Sequence, residues 1–191
     1  MKLMKLSHMF ALAALCLFAG TASAHTGEHT ASGFASGLAH PLQGLDHLLA
    51  MIAVGLWAAQ QGGRALWAVP AAFVGATLLG GGLAGLGWGL PQVETAIALS
   101  VLVLGLLIAT RRQRGTTAGM LLAAGFALFH GYAHGLEMPQ AASPVGYALG
   151  FVLATLCLHG MGIAGSLIGR RATQLAGAGI AVSVLALILS V

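Results

Sequence analysis

Charge is what this sequence has least of. Lys, Arg, Asp and Glu together make up 6% of its 191 residues, against 58% hydrophobic residues, and the mean hydropathy is +0.93. An ordinary soluble domain is about 25% charged. A chain this poor in charge cannot cover a globular surface with water-compatible groups, which excludes a soluble fold. Acidic residues are scarcest: Glu28, Asp46, Glu94 and Glu137 are all there are. Cysteines are two, Cys16 and Cys157. Cys16 falls in a segment expected to be removed, so the mature chain keeps one cysteine and an internal disulfide is excluded. Cys157 reads as a small apolar residue in a helix. The pI near 9.7 comes from eight Lys and Arg spread thinly along the chain, without the basic patch of a nucleic-acid binder. There is no nucleotide-binding loop, no soluble domain and no long linker, which argues against ATP hydrolysis by this chain.

What the sequence does have is long apolar runs and glycine, 29 residues of it. The first 24 residues read as a signal peptide. Lys2 and Lys5 form a positive start, an apolar run spans 9–20, and Ala22-Ser23-Ala24 is a small-residue cleavage pattern. Cleavage after Ala24 puts a new N-terminus, beginning at His25, outside the cytoplasm. Residues 25–191 then form one domain with six apolar stretches, at about 43–61, 66–88, 92–110, 116–138, 144–169 and 173–191. Each is near the ~20 residues that a helix needs to cross a bilayer. The expected fold is all-α, with six transmembrane helices after a cleaved signal peptide. Every Arg beyond the signal peptide lies in the first, third or fifth connection. Cytoplasmic loops carry the Lys and Arg excess, so both ends of the mature chain are expected in the periplasm of a bacterial inner-membrane protein. Glycines recur four apart (Gly81, Gly85 and Gly89; Gly131 and Gly135; Gly146 and Gly150; Gly165 and Gly169), a spacing that lets helix backbones approach.

An ionisable side chain inside a membrane helix is expensive and marks function by default. Two clusters stand out. The first is His40-Pro41-Leu42-Gln43-Gly44-Leu45-Asp46-His47. His40 and His47 are seven apart and converge if the helix runs through both. Asp46 supplies an anionic oxygen or a dipole-favoured helix start. Met51, four residues past His47, offers a thioether or simply packs. The second is His130-Gly131-Tyr132-Ala133-His134-Gly135-Leu136-Glu137, whose two histidines and carboxylate share one helical stripe. Counting about 1.5 Å per residue from Thr116 puts His130 about 21 Å along its helix, in the same half of the membrane as the first cluster. Imidazole suits nickel, copper, zinc and iron. Weaker candidates are Glu94 at a helix start, His159 as an inner relay ligand or core histidine, and His25 and His29, either metal-collecting or part of a solvated tail.

The stretch His40-Pro41-x-x-Gly44-x-Asp46-His47-x-x-x-Met51-x-Ala53-Val54-Gly55 resembles the signature of the HupE/UreJ proteins, membrane accessory proteins of hydrogenase and urease systems. Phe129-His130-Gly131-x-Ala133-His134-Gly135-x-Glu137-x-Pro139 looks like that family's second segment. The resemblance implies a permease rather than an enzyme. Nickel, or cobalt in some members, is its transported substrate, and no cofactor is permanently bound. It implies ligand roles for His40, Asp46, His47, His130, His134 and Glu137, and a link to hydrogenase or urease maturation. Its partners are then the metal ion and the lipid bilayer, with no nucleic acid or nucleotide; oligomerisation is compatible with the plan.

Two other classes fit a histidine-bearing membrane chain: an intramembrane metalloenzyme, and a haem-binding electron carrier with two axial histidines. The acid-poor helices, the lack of redox-paired cysteines and the motif match favour transport. The arginine asymmetry makes a first prediction. Reporter fusions at Arg112 and Arg171 give cytoplasmic signals, and fusions within 139–143 and at position 191 give periplasmic ones. A cytoplasmic signal at position 191 contradicts the six-span plan.

Overall fold

A computed structural model describes residues 33–140 and 142–189. The expected signal peptide 1–24, its cleavage site, His25, His29 and position 191 lie outside the described residues. The secondary structure is helical, with no strand among the described residues. Helix α1 is Gly33–Ala39 and runs into a 3-10 turn, His40–Leu42. Then come α2 (Leu45–Gln61), α3 (Ala65–Gly85), α4 (Val93–Ala109), α5 (Thr116–Leu136), α6 (Pro144–Gly165, extended by a 3-10 turn Ser166–Ile168) and α7 (Arg170–Leu189). The six apolar stretches correspond to α2–α7 within a few residues at each end.

Helix α1 is the addition, and it changes the first cluster. The chain does not run helically from His40 to His47. Pro41 sits at the start of the 3-10 turn, Gly44 adopts extended geometry (φ −104°, ψ 121°), and the axes before and after the break differ by 82°. His40 and His47 therefore belong to different elements. The other boundaries have local causes. Ser143 caps α6 by accepting a hydrogen bond from the Gly146 amide at 3.3 Å, with Pro144 in the first turn. Gly62, at φ 70°, ends α2.

The tightest pairing is α3 against α5; α1 and α2 pack on α6, and α4 packs on α7. Backbones touch at these crossings. A Cβ added at Gly131 would collide with the Thr77 carbonyl, and one at Gly80 with that of Leu128. Gly55 and Gly162 meet in the same way between α2 and α6, where the His159 carbonyl occupies the space a Cβ of Gly55 would need. Of the four-apart glycines, Gly131, Gly135 and Gly150 lie in such crossings, whereas Gly85, Gly89 and Gly169 face open space.

Apolar side chains cover the outside of the bundle as well as filling its core, and four of its histidines are inside. Leu121 (70% exposed), Leu149 (60%) and Leu185 (46%) point outward, while His47, His130, His134 and His159 are buried. Three helices, α3, α6 with its extension, and α7, are long and apolar enough to cross a membrane; the bent α1–α2 pair makes a fourth if it acts as one span. Helix α4 is shorter, at 17 residues. Helix α5 has 21 residues, but His130, Tyr132 and His134 dilute its apolar run.

The crossings yield a second prediction. Gly131→Leu forces α5 away from α3 and destabilises the protein by about 1–3 kcal/mol, the usual cost of overpacking. Gly82→Leu, where a Cβ meets nothing within 4 Å, changes stability by no more than about 0.5 kcal/mol. Thermal unfolding of both variants in detergent checks the contrast; equal stability overturns it.

Candidate metal centre

The 82° bend brings both motif clusters to one place. It sets the His40–Leu42 turn and the start of α2 against the last turns of α5. The His40 ring centroid lies 4.8 Å from that of His134, His134 lies 4.3 Å from His47, and His47 lies 4.9 Å from His130. His134 is the hub, with Phe151 of α6 closing its far side at 4.4 Å. Glu137, the residue that ends α5, turns its carboxylate onto His40, with Nε2 to Oε2 at 2.9 Å, and stands 4.0 Å from Nδ1 of His134. One ligand atom from each of His40, His134 and Glu137 fits within 4.8 Å of the others. Two of the trio form the open lip of the site, with the Glu137 side chain 56% exposed and that of His40 15%, while His134 lies buried beneath them.

Proton bookkeeping shows which nitrogens are free. One oxygen of Asp46 lies 2.8 Å from Nδ1 of His47 and accepts the His47 backbone N–H at 2.8 Å as well. An ionised carboxylate only accepts, so Nδ1 of His47 carries the proton and Nε2 keeps its lone pair. Asp46 is thus both a helix-start carboxylate and the group that orients His47, the arrangement that carboxylates make behind metal-bound histidines. Gly44 leaves room for it: a Cβ there would stand 3.0 Å from both Asp46 Oδ1 and His47 Nδ1.

His130 follows the same logic with a neutral partner. The Ser100 hydroxyl donates its one proton to the Ile97 carbonyl at 2.6 Å. Toward His130 Nε2, 2.8 Å away, it therefore acts as acceptor. The proton of His130 sits on Nε2, and Nδ1 presents a lone pair. Nε2 of His47, Nδ1 of His130 and both nitrogens of His134 are buried without a hydrogen-bond partner among the described residues. Buried polar atoms are nearly always paired, so four such nitrogens in one place, one of them the N–H of a neutral His134, set this cluster apart from the rest of the bundle.

The weaker candidates fall elsewhere. Met51 is fully buried in the apolar core, its sulfur accepting from the Thr155 hydroxyl at 3.5 Å. Glu94 is exposed in the first turn of α4, apart from that trio. His159 is buried on α6 and touches Phe73, with ring centroids 5.2 Å apart. Three residues went unread in the sequence: Ser100, Phe73, and Tyr147, whose hydroxyl donates to the His134 carbonyl at 3.4 Å. Ser100 alone left a signal, as a lone hydroxyl in an apolar run facing the question of what satisfies His130.

Membrane-length apolar helices wrapped around buried histidines define a multi-pass helical membrane protein with a nitrogen-rich site opening at one end. The chain belongs to the HupE/UreJ family: the family model described as HupE / UreJ protein matches residues 13–189. It is 50% identical over 153 residues to Protein HupE of Rhizobium leguminosarum bv. viciae, covering 80% of this chain and 78% of that relative. No solved structure matches.

The positioning of His47 gives a third prediction. Asp46→Asn keeps the size of the side chain but removes the anionic acceptor. Affinity for Ni2+ or Co2+, measured by calorimetry on purified protein in detergent, falls about 10–100-fold, as for other partners of metal-bound histidines. Affinity within twofold of wild type assigns Asp46 to the helix start alone.

Proposed function

We propose that this protein carries a divalent transition-metal ion, nickel first and cobalt next, across the bacterial inner membrane as a secondary permease or channel-like carrier. The observation that carries this reading is the set of unpartnered imidazole nitrogens on His47, His130 and His134, buried beside the lip made by His40 and Glu137. Burying an unsatisfied polar group costs about 1–3 kcal/mol. Neutral rings at His47, His130 and His134 offer one lone pair each, three in all, and a metal ion is a use for them. Histidine nitrogens with carboxylate oxygens suit late first-row dications, whereas all-oxygen sites suit magnesium and calcium. The set lacks thiolates, which would hold the ion tightly; exchangeable neutral ligands can replace hydration and still release it.

In this reading α2–α7 are six spans, both mature termini are periplasmic, residues 1–24 are removed, and the lip faces the periplasm. Helix α4, about 25 Å long at ~1.5 Å per residue, is short but near the hydrocarbon thickness. The polar residues of α5 face the bundle interior, where a span can tolerate them. An inward-negative potential of 100 mV favours entry of a dication by about 4.6 kcal/mol, twice the single-charge value, which can drive uptake without a coupling ion. The delivered metal would serve hydrogenase or urease maturation.

Uptake of radioactive Ni2+ into proteoliposomes under an inward-negative potential tests the reading. His47→Ala and His134→Ala each lower it at least about tenfold at unchanged protein level, because each removes a nitrogen from a site whose affinity depends on ligand number and type. His25→Ala and His29→Ala raise the concentration for half-maximal uptake and leave the maximum rate intact. Uptake weakens at acidic pH, since neutral imidazole is the form that binds metal. Wild-type uptake by both His47→Ala and His134→Ala contradicts the mechanism.

A further inference from the structure

The histidine cluster does not end at His130. On its inner side the ring of Phe73, from α3, lies 5.8 Å from that of His130 and 5.2 Å from that of His159. The rings of His40, His134, His47, His130, Phe73 and His159 thus make one continuous column, with steps of 4.3–5.8 Å. Helices α3 and α5 start from the same end of the bundle. At about 1.5 Å per residue, Phe73 is roughly 12 Å from that end and His130 roughly 21 Å. His159 is six residues from the end of α6, so it lies roughly 9 Å from the same end. The column therefore runs along the bundle, away from the lip.

Two properties set the inner part apart. Phe73 is fully buried and offers no ligand atom, so it is the one break in a run of imidazoles. Beyond it, His159 is 2% exposed, and neither of its ring nitrogens has a hydrogen-bond partner among the described residues. A histidine kept only for packing would use at least one of them. The nearest alternative donor on its own helix face, Thr155, gives its hydroxyl to Met51 instead. Between α3 and α6, Val74, Thr77, Phe151, Val152 and Thr155 line an interstice with no room for a water molecule. Farther in, Gln60 donates to the Ile108 carbonyl at 3.0 Å and Trp57 to that of Arg112 at 3.4 Å.

We infer that Phe73 is an apolar gate in the ion's route and that His159 is the station behind it. The inference rests on the transport reading and adds to it where selection occurs. An ion crossing Phe73 has imidazole ligands on either side and none at the ring, so it must shed water there. Transition-metal dications exchange that water for imidazole. Mg2+, which dehydrates reluctantly and prefers oxygen, is held back.

The test uses full-length protein, with Ni2+ binding measured in detergent and Ni2+ and Mg2+ influx measured in proteoliposomes. The series Phe73→Leu, Phe73→Val and Phe73→Ala raises Mg2+ influx progressively, to at least tenfold in the smallest variant that inserts normally, while Ni2+ affinity stays within twofold. His159→Phe keeps an aromatic ring, somewhat larger than imidazole, and removes both nitrogens; at wild-type membrane level and thermal stability it lowers Ni2+ uptake at least tenfold, again with affinity within twofold. A histidine that merely packs would tolerate that change. If wild type takes up Ni2+ while the Phe73 series excludes Mg2+ and His159→Phe transports normally, the gate and its station are overturned and the transport reading stands. If wild type takes up no Ni2+, the transport reading fails and the gate with it.

Discussion

Everything in this structure depends on helix backbones touching. At the α3–α5 crossing the Thr77 carbonyl occupies the space beside Gly131, and at the α2–α6 crossing the His159 carbonyl occupies the space beside Gly55. Between helices surrounded by lipid there is no strong hydrophobic drive, so close van der Waals packing carries association. Both glycines stand within the two motif segments, beside the histidines. Their role is architectural. They bring α5 against α3 and α2 against α6, which draws His130 toward Phe73 and fixes the helix that bears His159.

The close packing makes the chemistry costly as well as accurate. Each buried imidazole nitrogen is either paired by the protein or left without a partner among the described residues. Both solutions occur, and they alternate by atom rather than by residue. Asp46 and Ser100 each take one ring N–H, a carboxylate for His47 and a hydroxyl for His130. In both rings that settles the tautomer and points the free nitrogen into the cluster. His134 has no such partner at either nitrogen among the described residues, and its ring touches those of His40, His47 and Phe151.

Most of the helices were legible in the sequence because a bilayer-length apolar run is a strong signal, and the breaks carry arginine, proline or paired glycine. Helix α1 was not, since seven small and apolar residues leading into Pro41 make no periodic pattern of their own. Missing it meant missing the bend, and with it the reason His40 meets His134 across elements instead of joining His47 on one helix. The residues of the cluster were legible because ionisable groups are so scarce here that each one is conspicuous. Phe73 was invisible for the opposite reason: one aromatic among many apolar residues acquires meaning only when three helices set it between two histidines. The thioether of Met51 and the carboxylate of Glu94 lay at suggestive spacings, yet side-chain direction and helix rotation send one into the apolar core and leave the other exposed at a helix start.

The hub position of His134 has a mechanical consequence. The contacts His40–His134, His47–His134 and His47–His130 all have one partner on α5, and the hydrogen bond of Glu137 with His40 also anchors at the end of that helix. A small slide or rotation of α5 alters all four together. The outer rings are therefore not a string of independent holding points but a single cooperative unit, which loosens or tightens as a whole. Phe73 and His159 ride on α3 and α6, so their motion is geared to that unit through the glycine contacts where those helices meet α5 and α2, through Phe73 against His130, and through Phe151 and Tyr147 against His134.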